Sequence, residues 1–295
     1  MFENLPNKRV KEKSPFGSIP ASAPLKRSIK NFTKYKMKNF PWTTDLKLLK
    51  KRHERIWNIK RPYTSQGLRD IKTALNSRKT IQEIYFVLTQ YTQAVIPNLH
   101  HVNSFTKFTI LQRIYFHFYG CTSITDKSLD HLSRFFKSLR FLKEISLKFL
   151  SCDKLTDLGL KSLVKLLQRC ALLQKIFLSF QSCPQVTDTG LSRISKGLKR
   201  LTSLRSMKLD FSSCNITDMG LEELTKILKR HKCLQSLTLC FNYCNELTEG
   251  GMFNLCEAVD QLCCFQNLQQ IYLSMRGGVT FIRKYEVKGR LKKCP

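Results

Sequence analysis

Residues 152–163 read Cys152-Asp153-Lys154-Leu155-Thr156-Asp157-Leu158-Gly159-Leu160-Lys161-Ser162-Leu163. The same phrase returns along the chain. Cys121, Cys152, Cys183, Cys214 and Cys244 stand 31, 31, 31 and 30 residues apart. Each is followed by an apolar-Thr-acid triplet: Ile124-Thr125-Asp126, Leu155-Thr156-Asp157, Val186-Thr187-Asp188, Ile216-Thr217-Asp218 and Leu247-Thr248-Glu249. In four of the five, a glycine stands two residues after the acid: Gly159, Gly190, Gly220 and Gly251. A period of this length is the mark of a stack of one supersecondary unit, in which each copy buries the apolar face of its neighbour.

The unit can be read from its parts. Leu111, Leu142, Leu173, Leu204 and Leu234 each stand ten residues before a ladder cysteine. Alternating apolar residues follow, as in Ile145, Leu147 and Phe149, and alternation with period two marks a half-buried strand. Thr suits a helix N-cap, and an acid in the first turn suits the positive end of the helix dipole. Apolar residues then recur at helical spacing, as in Leu221, Leu224 and Leu228. Each unit is therefore strand, turn, helix and return. Two weaker copies extend the pattern upstream. Ile81, Ile84, Phe86 and Leu88 fit the strand frame, and Thr64 to Leu68 with Ile71 and Leu75 fit the helix frame. The array is expected to open with a lone helix and to continue through seven strands, the last holding Ile271, Leu273 and Met275. Gly250-Gly251 and Gly277-Gly278 read as turns.

The phrase Cys-x-x-Leu-Thr-Asp-x-Gly-Leu-x-x-Leu resembles the leucine-rich repeat, in its cysteine-containing subtype. The longer return from helix to strand is similar to the ribonuclease-inhibitor type. The resemblance covers about residues 64–278. It implies an α/β solenoid, a horseshoe with parallel strands on the concave face and helices on the convex face. Such arrays serve as docking surfaces for many partners. The expected organisation is a basic, extended arm over 1–60 with a short helix near 44–58, the array over 61–278, and a basic tail over 279–295.

The chain carries 51 Lys and Arg against 21 Asp and Glu, a net charge of +30. Residues 1–78 hold 20 of the cations and 5 of the acids, so half of the excess sits in about a quarter of the chain. A surplus of this size calls for an anionic partner. Twelve cysteines without a signal-peptide hydrophobic region point to a reducing compartment. The ladder cysteines are read as small buried thiols, donating weakly to a carbonyl of the next coil. One thiolate per coil along a line cannot surround a tetrahedral zinc. No nucleotide-binding glycine loop or nucleophile motif is present, and acids repeated at every helix start have a structural job. The expectation is no enzyme, no metal and no cofactor.

Two surfaces are expected. Strand residues between the buried ones should point into the concave face. They include Tyr85, Tyr115, His117, Lys148, Phe177, Lys208, Asp210 and Tyr272, a mixed aromatic surface suited to a protein partner, with the aromatics exposed until it binds. Contacts to an anionic surface are expected from Lys34, Lys36, Lys38, Lys47, Lys50, Lys51, Arg52 and Arg55 in the arm and from Arg169, Arg200 and Arg230 near successive helix ends. For those three arginines, dipole compensation is the plainer reading. Phe32, Tyr35, Phe40, Trp42 and Trp57 would anchor the arm. The 44–58 helix can be read as a cap on the first coil, a contact helix for an acidic partner, or a membrane-surface or nuclear-import segment.

The leading functional expectation is a non-enzymatic scaffold within a large assembly, its basic arm on tubulin or another acidic protein. It would be cytoplasmic, in a ciliary or cytoskeletal setting. An RNA-associated accessory subunit of a ribosome or mitochondrial ribosome is the alternative, in the mitochondrial matrix or nucleus. A ubiquitin-ligase substrate adaptor is a third, although the residues before the array contain no F-box pattern.

Overall fold

The computed structural model describes residues 56–59, 83–89, 111–135, 139–263, 268–275 and 281–286. They belong to the unit Glu54–Pro295. The strands are β1 (Ile56–Ile59), β2 (Glu83–Thr89), β3 (Arg113–Tyr119), β4 (Glu144–Leu150), β5 (Lys175–Ser179), β6 (Ser206–Asp210), β7 (Ser236–Cys240), β8 (Gln270–Met275) and β9 (Phe281–Glu286). The described helices are α1 (Asp126–Phe135), α2 (Asp157–Leu167), α3 (Asp188–Leu198), α4 (Asp218–Leu228) and α5 (Glu249–Cys263). All nine strands form one sheet in chain order. β1 to β8 pair in parallel, and β9 runs antiparallel to β8. A parallel neighbour needs a crossover, and α1 to α5 supply those between β3 and β8.

Three expectations change here. Ile56–Ile59 is a strand paired with β2, so the segment read as a helix over 44–58 does not end as one. The sheet has nine strands rather than seven, because β1 lies within the stretch assigned to the arm and β9 within the stretch assigned to the tail. Gly250 and Gly251 lie in the first turn of α5 rather than in a turn. The lone helix expected over Thr64 to Leu75, residues 44–55, and Gly277-Gly278 lie outside the described residues.

The stack is held by ladders that run from coil to coil. Phe118, Phe149, Phe180, Phe211 and Phe241 are fully buried and form a continuous aromatic spine. Successive ring centroids are 5.1, 5.6, 5.2 and 6.1 Å apart. Burial of one such side chain contributes roughly 1.5–3 kcal/mol, and ring pairing adds to that. Ile114, Ile145, Ile176, Met207, Leu237 and Ile271 form a parallel buried row beside it.

A second ladder explains the Thr-Asp-x-Gly phrase. Thr156, Thr187 and Thr217 are N-caps, each accepting the amide of the residue two places on. The aspartate next to each cap does more than face the dipole, because it accepts two hydrogen bonds from the following coil. Asp126 receives the amide and hydroxyl of Thr156 at 2.9 and 2.7 Å. Asp157 receives those of Thr187 at 2.9 and 2.6 Å, and Asp188 those of Thr217 at 2.8 and 2.6 Å. Asp218 completes the series with Thr248. Hydrogen bonds to a carboxylate are the strong kind.

The glycine follows from this clamp. A Cβ on Gly159 would stand 2.5 Å from Asp126 Oδ1, and Cβ atoms on Gly190, Gly220 and Gly251 would press on Asp157, Asp188 and Asp218 in turn. The coil without a glycine carries Ser128 there, and the chain has Val95-Ile96 rather than an acid about thirty residues before Asp126. The glycine is needed where the preceding coil has a carboxylate to accommodate.

The cysteine ladder runs backward rather than forward. Cys183, Cys214 and Cys244 donate to the carbonyls of Phe149, Phe180 and Phe211 in the preceding coil, at 3.3, 3.0 and 3.2 Å. Burial pushes the Cys121 and Cys244 thiols up to about 11, and Cys183 to about 12. They are neutral thiols at physiological pH and are spent on backbone carbonyls.

Candidate functional site

The strand register builds the face of the sheet that carries no helices. One row runs Tyr85, Tyr115, Ser146, Phe177, Lys208, Thr238 and Tyr272 across β2 to β8. The next runs Val87, His117, Lys148, Ser179, Asp210, Cys240 and Ser274. Parallel pairing brings equivalent residues about 4.8 Å apart, close enough for neighbours to cover one another. The aromatics are accordingly half-buried and not exposed: Tyr115, Phe177 and Tyr272 are all shielded in part, and His117 is buried.

Phe177 is the centre of this face. Lys148 from β4 places its Nζ 4.5 Å from the ring centroid, and Lys208 from β6 places its own at 4.6 Å. Ammonium groups at this range are drawn to the ring quadrupole. The result is a small apolar plate flanked by two cations. On one side, His117 Nε2 and Ser146 Oγ are 3.1 Å apart. On the other, Asp210 accepts the Ser179 hydroxyl at 3.4 Å and the Ser212 amide at 3.1 Å. Asp210 is thus committed within the protein, while the two lysine heads lie over the half-buried ring.

The sites expected elsewhere are dispersed. Arg169, Arg200 and Arg230 are exposed and lie just beyond the ends of α2, α3 and α4. Trp57 lies on β1, beside Ile84 of β2. Lys34, Lys36, Lys38, Lys47, Lys50, Lys51, Arg52, Arg55, Phe32, Tyr35, Phe40 and Trp42 lie outside the described residues. Sequence reasoning missed a third row on the sheet, Glu83, Arg113, Glu144 and Lys175, whose signs alternate along β2 to β5. Arg113 and Glu83 form an ion pair at 3.2 Å. The alternating sign at a thirty-residue interval was the signal available.

Among the described residues, no group of three or more His, Cys, Asp and Glu side chains could hold a metal. No described helix is long and apolar enough to cross a membrane.

No family model and no curated protein matches this chain. Among solved structures it is similar to the tropomodulin C-terminal domain from Caenorhabditis elegans. The TM-score is 0.42 and the identity 11%, over 58% of this chain and 94% of that one. The parallel sheet with alternating helices fits a leucine-rich repeat fold.

Proposed function

We propose that this chain is a non-enzymatic scaffold of the cysteine-containing, ribonuclease-inhibitor-like class of leucine-rich repeat. The strand side is the concave face of a horseshoe and holds a protein partner. The observation that carries this reading is Phe177 between Lys148 and Lys208, an apolar plate with two cations on the strand face. The fitting partner is a protein segment that presents carboxylates beside an apolar residue. Tyr115 and Tyr272 stand in the same row, two and three strands from Phe177, and offer further contact area, since Tyr is a favoured interface anchor.

The arm, with most of its residues basic or neutral, is the second contact and takes an acidic surface. A microtubule is the acidic polymer we favour, in a cytoskeletal or ciliary setting. Cosedimentation of the full chain with microtubules at low salt is the expected result; no binding there removes this partner. Generic RNA supplies the comparison. Binding to RNA that falls steeply with salt would favour the ribosome-associated reading instead.

The concave site has its own test. Phe177→Ala should weaken binding of the cognate partner by roughly tenfold to a hundredfold, the range of an interface anchor. Lys148→Glu with Lys208→Glu should abolish it at physiological salt. Phe177 is half-buried on the face opposite the Phe spine, so the thermal midpoint should change little. Unchanged affinity in both variants would remove the site from the interface.

A further inference from the structure

The loops that lead from each helix end to the next strand form one edge of the array. Backbone hydrogen bonds hold them side by side: Gln174 donates to Lys143, Arg205 to Gln174, and Gln235 to Arg205, at 2.8, 2.7 and 2.7 Å. The four loops 139–143, 168–174, 199–205 and 229–235 contain Arg140, Lys143, Arg169, Lys199, Arg200, Arg205, Lys229, Arg230 and Lys232. All nine are exposed, and the four loops contain no Asp or Glu. The opposite edge is different: loops 120–125, 151–156, 181–187, 212–217 and 242–248 hold Lys154 as their one cation, against Asp153 and Glu246.

Dipole compensation covers part of this. Lys199, Arg200, Lys229 and Arg230 sit where a helix C-terminus favours a cation. Arg140, Lys143 and Arg205 lie past the last helical turn, toward the strand, where that field has faded. They need another reason.

The same edge carries exposed apolar side chains. Phe141 and Leu172 occupy the same place in successive coils and are 55% and 49% exposed. Cations with phosphate alone would leave them without a function, because an aliphatic Leu172 neither stacks on a base nor meets a phosphate. A bilayer surface uses both kinds of group: cations at the headgroups, and Phe and Leu at the acyl boundary.

We propose that this edge is a docking surface for an anionic lipid bilayer, with Phe141 and Leu172 entering the headgroup region and the loop cations binding its phosphates and carboxylates. It is separate from the rows of the strand face. It gives Arg169, Arg200 and Arg230 one shared role in place of three isolated ones.

The test uses the full chain and flotation with vesicles of phosphatidylcholine, with and without phosphatidylserine. Binding should need the anionic lipid. Arg140→Gln with Arg205→Gln should lower vesicle affinity, at roughly fivefold per cation. Phe141→Ser with Leu172→Ser should remove the binding that survives at high salt. In Phe141→Trp, brominated lipid should quench fluorescence above the background of Trp42 and Trp57. All four positions are exposed, so unchanged melting curves show that the variants fold. The proposal is overturned by vesicle affinity that ignores both edge pairs and falls only with Lys34, Lys36 and Lys38 in the arm. It is also overturned by generic RNA that binds in a manner sensitive to the edge pairs while anionic vesicles do not bind.

Discussion

Gly220→Ala is expected to destabilise the array by about 2–4 kcal/mol, through crowding of a packed site and loss of hydrogen bonds to a carboxylate. The sign is the point of interest. In an ordinary helix the same change would gain up to about 1 kcal/mol, because glycine is the more flexible residue in the unfolded chain. Here the added methyl would press on Asp188, whose carboxylate holds the amide and hydroxyl of Thr217. Asp188→Ala alone should cost about 1.5–3 kcal/mol by removing that acceptor. The double variant should then be more stable than the sum of the two losses by at least about 1 kcal/mol, since the methyl no longer meets the carboxylate. Urea unfolding of the four proteins measures this directly. Simple additivity would show that the glycine is there for another reason.

The second large effect is a loss of stability in acid that centres on His231. It stands in a buried column with Leu139, Cys170 and Leu201, and is 1% exposed. Its ring nitrogens are buried without a well-formed hydrogen bond, the Leu201 backbone being close enough only for a weak interaction. Burial lowers its pKa to about 4, offset slightly by the backbone of Leu201. The folded protein therefore keeps the ring neutral, while the unfolded chain protonates it near its ordinary value of 6.5. Between these two values the unfolded state binds the extra proton, so stability falls as pH falls. The loss is about 1.4 kcal/mol per pH unit, or about 3 kcal/mol across the window. His231→Leu, matching its neighbours Leu139 and Leu201, should raise stability at pH 7 and remove most of the slope between pH 6.5 and 4. A variant that keeps the full slope would place the acid sensitivity in another group.

Much of this architecture was legible in the chain because one physical demand repeats. Stacking requires the same apolar residue in the same place in every coil, so the interval of Cys121 to Cys244 gave the unit and the alternation of Ile145, Leu147 and Phe149 gave the strand. The threonine caps were legible because capping acts within a few residues. What acts between coils was harder to see. Gly220 has a local reading as a helix residue, but its cause is Asp188, one coil away. The direction of the cysteine bonds, back to Phe149, Phe180 and Phe211, depends on the rise of the stack. Residues 44–58 carry apolar spacing that suits a helix, yet Ile56–Ile59 pairs with β2, and hydrogen bonding to an open sheet edge outweighs local preference.

The candidate sites show the same division. The row from Tyr85 to Tyr272 follows from alternation alone, but the half-burial of Tyr115, Phe177 and Tyr272 depends on side chains that meet across strands. The closure of Lys148 and Lys208 on Phe177 joins residues about thirty positions apart, and no local pattern marks it. The basic edge was divided in the sequence between helix ends and loops. Only the register of Lys143, Gln174, Arg205 and Gln235 gathers its cations and Phe141 and Leu172 onto one border.

The most direct test of the account is photocrosslinking from its central surface. A benzophenone side chain at position 177 should give one adduct in the cell, and Lys148→Glu with Lys208→Glu should remove it. The same group at exposed Phe253, on α5, should give no such adduct. An adduct from position 253 with none from 177 would show that partners dock on the helices, and the strand face would lose its assigned role.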